Sequence, residues 1–264
     1  MTLGRLGAWC SIASSYVVEV LGSCGFDWIC IDLQHGFSGL DNLLPMVQAA
    51  AITQTPALVR VPRLDAGMIG RALDAGAAGV IVPMVNSAAE ARAAVAACHY
   101  PPGGIRSWGP ARLMLADPEY SARRANAQVH CLVMAETREA VRNLDEIARV
   151  PGVTAVFVGP SDLAVDMGLT PRRGAIAGPH AEALAEIART CREHGVPAGI
   201  FGGTAQAVTQ YAEMGYSIIA VATDAALIRG SATEMLRGLR VTTEAGSPGP
   251  DDPEKARHRE HRHS

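Results

Sequence analysis

Eight short apolar runs recur along the chain: LGAWCSI, FDWICIDL, PALVRVP, AGVIVPMV, VHCLVMAE, VTAVFVGPSD, VPAGIFGG and YSIIAVATD. Most are apolar at consecutive positions, as strands of a parallel sheet covered on both faces should be. Between them lie stretches of helical pattern rich in Ala, Leu, Glu and Arg, such as SAAEARAAVAACHY, TREAVRNLDEIARV, HAEALAEIARTCREHG and TAQAVTQYAEMG. Several end in glycine just before the next strand, the usual helix stop. Strand and helix alternating eight times over about 230 residues predict an α/β fold, a closed (β/α)8 TIM barrel. A doubly wound open sheet is the alternative.

The 264 residues divide into one barrel domain over 1–241 and a tail over 242–264. The tail, TTEAGSPGPDDPEKARHREHRHS, is polar and lacks periodicity, so disorder is expected there, and His258, His261 and His263 read as solvated side chains. The segment from Pro101 to Ala127, rich in Pro and Gly, predicts a loop and short helix over one barrel mouth. The apolar N-terminal stretch carries Glu19 and runs straight into the second strand, which favours a first βα unit over a signal peptide. A net charge of −3 and the lack of a basic block before the tail argue against nucleic acid or an anionic membrane as partner. No uncharged apolar run reaches the roughly 18 residues of a membrane span. The six cysteines are scattered without a CxxC pair, as small buried thiols of a reducing, cytoplasmic setting would be.

Lysine usage excludes one chemistry. Lys255, in the tail, is the only lysine of the chain, so the barrel has none for a Schiff base. In a parallel barrel all strand C-termini open on one mouth, and catalytic groups sit there. The second run delivers Asp32 and His35, the third Arg60, the fifth Glu136, the sixth Asp162 and the eighth Asp224. Glu136 also suits the first turn of a following helix, and Asp162 a helix N-cap. Either ordinary role is sufficient alone. Two acids at the ends of adjacent strands nevertheless favour a site for a divalent cation such as Mg²⁺ or Mn²⁺. The turn at Gly159 and Pro160 opens a helix whose N–H groups, at Ser161 and Asp162, suit a carboxylate. Arg60 follows an apolar strand, where it either pairs with a neighbouring strand's acid or stabilises an anionic intermediate. His35 reads as a proton-transfer group, with a loop-capping hydrogen bond as its ordinary alternative. Asp32 suits orientation of His35, a metal-bound water, or a structural cap of the loop. Asp224 reads as an N-cap.

Together GAWCSIASSY, GFDWICIDLQHG, LVRV, ALDAGAAGVIVPMVNSAAEAR, YPPGGIRSWGPAR, MAETREAVRNLDEIA, VFVGPSDLAVDMG and AGIFGG resemble the HpcH/HpaI aldolase family, from about Gly7 to Arg240. The resemblance implies a class II pyruvate aldolase that uses Mg²⁺, Mn²⁺, Co²⁺ or Zn²⁺. It implies Glu136 and Asp162 as metal ligands, Arg60 as the group that neutralises the enolate, and His35 as the catalytic histidine. It adds Asp74 as the acid of a dyad with His35, Ser161 and Asp162 N–H groups as holders of the pyruvate carboxylate, and Trp9 as a border of the pocket. Met134 and Gln34 depart from residues common in relatives, a Gln and a Glu respectively. A homo-oligomer, a hexamer by resemblance, is also implied.

The expected reaction is reversible aldol cleavage of 4-hydroxy-2-oxoacids to pyruvate or hydroxypyruvate and an aldehyde. An acyl-CoA lyase of the citramalyl or malyl-CoA type and a non-catalytic oxoacid-binding barrel are the alternatives.

Overall fold

The computed structural model describes residues 5–171 and 176–245. Its first half runs β1 (Leu6–Cys10), α1 (Ser15–Ser23), β2 (Trp28–Asp32), α2 (Leu40–Ile52), β3 (Ala57–Arg60), α3 (Ala66–Asp74), β4 (Gly79–Val82) and α4 (Ala88–Cys98). Two short helices, α5 (Ala111–Ala116) and α6 (Ala122–Gln128), precede β5 (His130–Ala135). There follow α7 (Arg138–Arg142), α8 (Leu144–Ala148), β6 (Ala155–Val158), α9 (Pro160–Asp166), α10 (Pro179–Glu193), β7 (Ala198–Phe201), α11 (Ala205–Met214), β8 (Ile218–Thr223) and α12 (Asp224–Ala245). All eight strands are parallel and pair in chain order, and β8 returns to β1 to close the barrel.

Local chemistry sets the ends of the helices. Ser14, Asp65, Thr137 and Thr204 accept a backbone N–H at the starts of α1, α3, α7 and α11, and Ser87 with Glu90 forms a reciprocal capping box on α4. Gly215, at φ 104°, ends α11 in the left-handed conformation that a side chain would disfavour.

Along each strand alternate side chains point into the barrel. The interior is filled by Trp9, Trp28, Cys30, Leu58, Ile81, Leu132, Met134, Phe157, Ile218 and Ala220. The same period of two, carried to the strand ends, decides what stands at the mouth. Trp28 and Cys30 are followed inward by Asp32, Leu58 by Arg60, and Leu132 and Met134 by Glu136. A packed apolar core therefore ends in a ring of polar groups.

The segment before β5 carries α5 and α6 rather than one helix, and it follows α4. It leads into the N-terminal end of β5, the barrel end opposite the ring of acids. Of the six cysteines, Cys24 is exposed and the other five are buried free thiols. No helix of the described residues is long and apolar enough to cross a membrane. The chain separates into a unit ending at Ala225 and a second unit from Ala226. Helix α12 continues to Ala245, past the predicted end of the folded domain at 241. The rest of the expected tail, with its three histidines, lies outside the described residues.

Gly7 faces the Trp28 ring so closely that a Cβ there would overlap Trp28 Cε2, Cδ2 and Cζ2. Gly70, inside α3, has open space. Gly7→Ala is expected to lower stability by about 1–3 kcal/mol through overpacking. Gly70→Ala should instead raise it by up to about 1 kcal/mol. Thermal unfolding followed by circular dichroism checks both, and equal effects of the two substitutions would contradict the packing argument.

Candidate active site

Asp32, the last residue of β2, stands in register beside Arg60, the last residue of β3. Arg60 donates to it twice, from Nε to Oδ1 at 2.9 Å and from Nη2 to Oδ2 at 2.6 Å. Trp9 Nε1 donates to the same Oδ2 at 3.1 Å, and the Gln34 and His35 backbone N–H groups donate to Oδ1 at 3.0 and 3.3 Å. Burial alone would push the Asp32 carboxyl up. The hydrogen bonds and charge of Arg60, with the Trp9 and Gln34 donors, outweigh it and hold the group below the usual carboxylate range. The Arg60 guanidinium lies 4.9 Å from the Trp9 ring centroid, a cation–π contact. Asp32 takes Nε and Nη2, which leaves Nη1 for the cavity. The ordinary pairing of Arg60 with a neighbouring strand's acid is thus present, in a residue that also lines the mouth.

Glu136 follows β5 and precedes Thr137, the N-cap of α7, so it is not in that helix's first turn. It is only 2% exposed. Its Oε1 accepts the Met84 N–H at 2.7 Å. Its carboxyl is pushed up to about 6, first by burial and then by the nearby Asp162, against the Met84 bond and Arg60. Asp162 is the third residue of α9, whose N-cap is Gly159, so it does not cap the helix either. Gly159 lies between the two acids. A Cβ on it would sit 2.5 Å from Glu136 Oε2 and 3.2 Å from Asp162 Oδ2. Glycine therefore keeps open a small space faced by a carboxylate oxygen from each acid.

That space fits a hard divalent cation. Among the described residues no group of three His, Cys, Asp or Glu side chains converges. Two carboxylates are the protein share that Mg²⁺ and similar ions commonly take, the remaining positions going to substrate oxygens and water.

A cavity of about 230 Å³ reaches Asp32, Arg60, Gly159 and Asp162, while Glu136 stands behind Gly159 and does not line it. Trp9, Ser11, Asp32, His35, Arg60, Met134, Phe157, Gly159, Ser161, Asp162, Phe201 and Thr223 are among its lining residues. Met134, Phe157 and Phe201 are apolar lining residues of it. His35 stands exposed at the rim. Asp224 accepts the Ser11 N–H, the Ser11 hydroxyl and the Ile12 N–H, and so fixes the loop after β1. Asp224 is the first residue of α12 rather than its predicted N-cap, and its carboxylate is engaged by the loop after β1.

Asp74 is the exception. It ends α3, and in a (β/α)8 barrel the helices run back against the strands, so a helix C-terminus lies at the end away from the mouth. There its Oδ1 accepts Arg106 Nη2 at 2.7 Å, while the Arg106 guanidinium lies 4.4 Å from the Tyr100 ring centroid. A His35–Asp74 dyad within one chain is therefore not what the fold assembles. The sequence leaves the role of Asp32 open, shows Gly159 only as part of the turn that opens α9, and gives no sign of Arg106's part. Their importance depends on strand register and on which side chains face each other, and neither is visible in spacing.

The family model described as HpcH/HpaI aldolase/citrate lyase matches residues 5–230. The chain belongs to that family. A 2-dehydro-3,6-dideoxy-6-sulfogluconate aldolase of Pseudomonas putida is 39% identical over 238 residues, 89% of this chain and 92% of the relative. A 4-hydroxy-2-oxo-heptane-1,7-dioate aldolase of Escherichia coli is 36% identical over 251 residues, 93% and 94% of the two chains. The crystal structure of a family member from Burkholderia cenocepacia J2315 superposes with a TM-score of 0.83 at 32% identity, covering 90% of this chain and 95% of the other.

A cation held by Glu136 would compete with a proton for its oxygens. Below about pH 6 the metal-free carboxyl carries a proton, and above it the carboxylate is free to coordinate. Mn²⁺ affinity measured by calorimetry should thus fall about tenfold per unit as the pH drops below 6, and level off above it as far as Glu136 is concerned. Equal affinities at pH 5 and pH 7 would remove Glu136 from the site.

Proposed function

We propose that this chain is a divalent-metal-dependent aldolase that cleaves 4-hydroxy-2-oxoacids to pyruvate, or to hydroxypyruvate, and an aldehyde, and that also runs the reverse addition. The observation that carries the reading is the pair of acids, Glu136 and Asp162, facing one space across Gly159 beside Arg60. The family and its aldolase-named relatives make the chain a carbon–carbon lyase. The oxygen-only donors suit Mg²⁺ or Mn²⁺ best, with Co²⁺ and Zn²⁺ as further candidates. The five buried free thiols accord with a cytoplasmic setting.

Cleavage removes the proton of the C4 hydroxyl, breaks the C3–C4 bond, releases the aldehyde and leaves the electron pair on the pyruvate fragment as an enolate. A bound divalent cation supplies Lewis-acid stabilisation of that charge, a role that a Schiff-base lysine takes in other aldolases. Arg60 adds a fixed positive charge at the same mouth, and Asp32 holds it so that no reorganisation is needed as the enolate forms. His35 takes the C4 hydroxyl proton, and a proton delivered to C3 completes pyruvate. The Ser161 and Asp162 N–H groups, in the first turn of α9, hold the pyruvate carboxylate. Trp9 borders the substrate and is locked by its bond to Asp32.

Asp74 meets His35 only between copies, because one chain places the two at opposite ends of the barrel. The dyad implied by the resemblance therefore makes the active protein a homo-oligomer with Asp74 donated by a second copy.

Two experiments test these points. Aldol activity on pyruvate and a small aldehyde should vanish with EDTA and return with Mn²⁺, and Glu136→Gln should lower Mn²⁺ affinity by about 100-fold. Activity that survives thorough chelation would sink the metal mechanism. His35→Ala and Asp74→Ala should each be nearly inactive, yet subunits of the two dissociated and reassembled together should regain up to about a quarter of wild-type activity, the random share of sites with both groups intact. No recovery in verified mixed oligomers would remove Asp74 from the site.

A further inference from the structure

Ser11 follows β1 and is among the residues that line the cavity. The hydroxyl is already committed as a donor. Ser11 Oγ lies 2.6 Å from Asp224 Oδ1, and the Ser11 and Ile12 backbone N–H groups donate to the same carboxylate at 3.0 and 2.9 Å. Ala225 N–H adds another bond at 2.7 Å. An ionised carboxylate only accepts, so the serine proton points at Asp224 and cannot turn toward a ligand. What Ser11 offers the cavity is its oxygen lone pairs. Donation to a charged acceptor polarises the hydroxyl and makes that oxygen a better acceptor.

The topology places this acceptor at one end of the substrate. In a closed barrel of eight strands taken in chain order, β1 lies across from β5, the strand that leads to Glu136. On the proposed reading the 2-oxoacid end lies at the acids and the α9 turn, on the other side of the same cavity from Ser11. His35 follows β2, next to β1. A substrate that puts its C4 hydroxyl at His35 extends its aldehyde-derived part toward Ser11. The walls on that side are apolar: Trp9 and Phe201 meet edge to face at 5.7 Å. Against such walls a hydroxyl with no acceptor would be costly, and an oriented acceptor selects for it.

The geometry points to Ser11 as a specificity-determining residue that favours aldehydes with a hydroxyl on the carbon next to the carbonyl. The inference rests on the aldolase reading and adds the class of acceptor. Asp224 acts through Ser11, fixing the direction in which its proton points.

The test uses an isosteric pair, glycolaldehyde and propanal, each with pyruvate and Mn²⁺ and the full-length chain. The quantity read is the ratio of kcat/KM for the two aldehydes. One such hydrogen bond is worth about tenfold. Ser11→Ala should lower the glycolaldehyde-to-propanal ratio about tenfold, and Ser11→Thr, which keeps the hydroxyl, should retain it. A purely structural role would depress both aldehydes alike and leave the ratio unchanged, which would overturn the inference. An unchanged ratio in Ser11→Ala also does so whatever the absolute rates. If Ser11→Ala does not fold, Ser11→Cys, with its weak acceptor, should lower the ratio in the same direction, and failure to do so overturns the inference. If wild type turns over neither aldehyde although Mn²⁺ binds, the aldolase reading itself fails, an outcome distinct from loss of the preference alone.

Discussion

The buried pair of Asp32 and Arg60 is the contact on which the mouth of the barrel depends. An arginine at the end of an apolar strand is tolerated only with a partner, and breaking such a pair typically costs about 3–5 kcal/mol because one charge is left stranded. Asp32 does more than neutralise. Its two oxygens accept from Arg60, Trp9 and the backbone of the loop that carries His35. One carboxylate thus sets the direction of the guanidinium, the tilt of the indole and the path of the loop at once. Full satisfaction of its lone pairs keeps it ionised in a buried place.

Across the mouth the second pair of acids is arranged in the opposite sense. Glu136 and Asp162 have no arginine between them, and Glu136 is held up to about 6 by burial and by its neighbour's charge. Gly159 keeps the space between them clear. Asp32 is paired with Arg60, whereas Glu136 and Asp162 face each other across Gly159. On the proposed reading that asymmetry separates the half of the site that positions groups from the half that would take up a cation, and a barrel without lysine would in that way provide for an enolate.

Much of this was legible in the chain. The apolar runs and intervening helical patterns specify the barrel, because consecutive apolar positions suit only strands buried on both faces. His35, Arg60, Glu136 and Asp162 were visible as polar residues ending those runs, and parallel strands necessarily bring such ends to one mouth. Asp74 was less legible. Its motif suggested a partner for His35, but its position at the end of α3 puts it on the far side of one barrel, beside Arg106. The different settings of Asp32 and of the Glu136–Asp162 pair were also hidden. All three are acids following apolar strands, and only their neighbours distinguish them.

The sequence by itself determined the alternation of strand and helix, the polar residues that end the strands and the lack of a lysine for a Schiff base in the barrel, since these follow from periodicity and residue type, whereas the β8–β1 pairing that closes the barrel is tertiary. The tertiary structure alone decided which acid neutralises Arg60, which pair flanks Gly159, where the Ser11 proton points and that Asp74 faces away. Those outcomes depend on strand register and on distances of a few ångströms between residues far apart in the chain. Hydrogen bonds and ion pairs are decided at that range, where linear spacing carries no information.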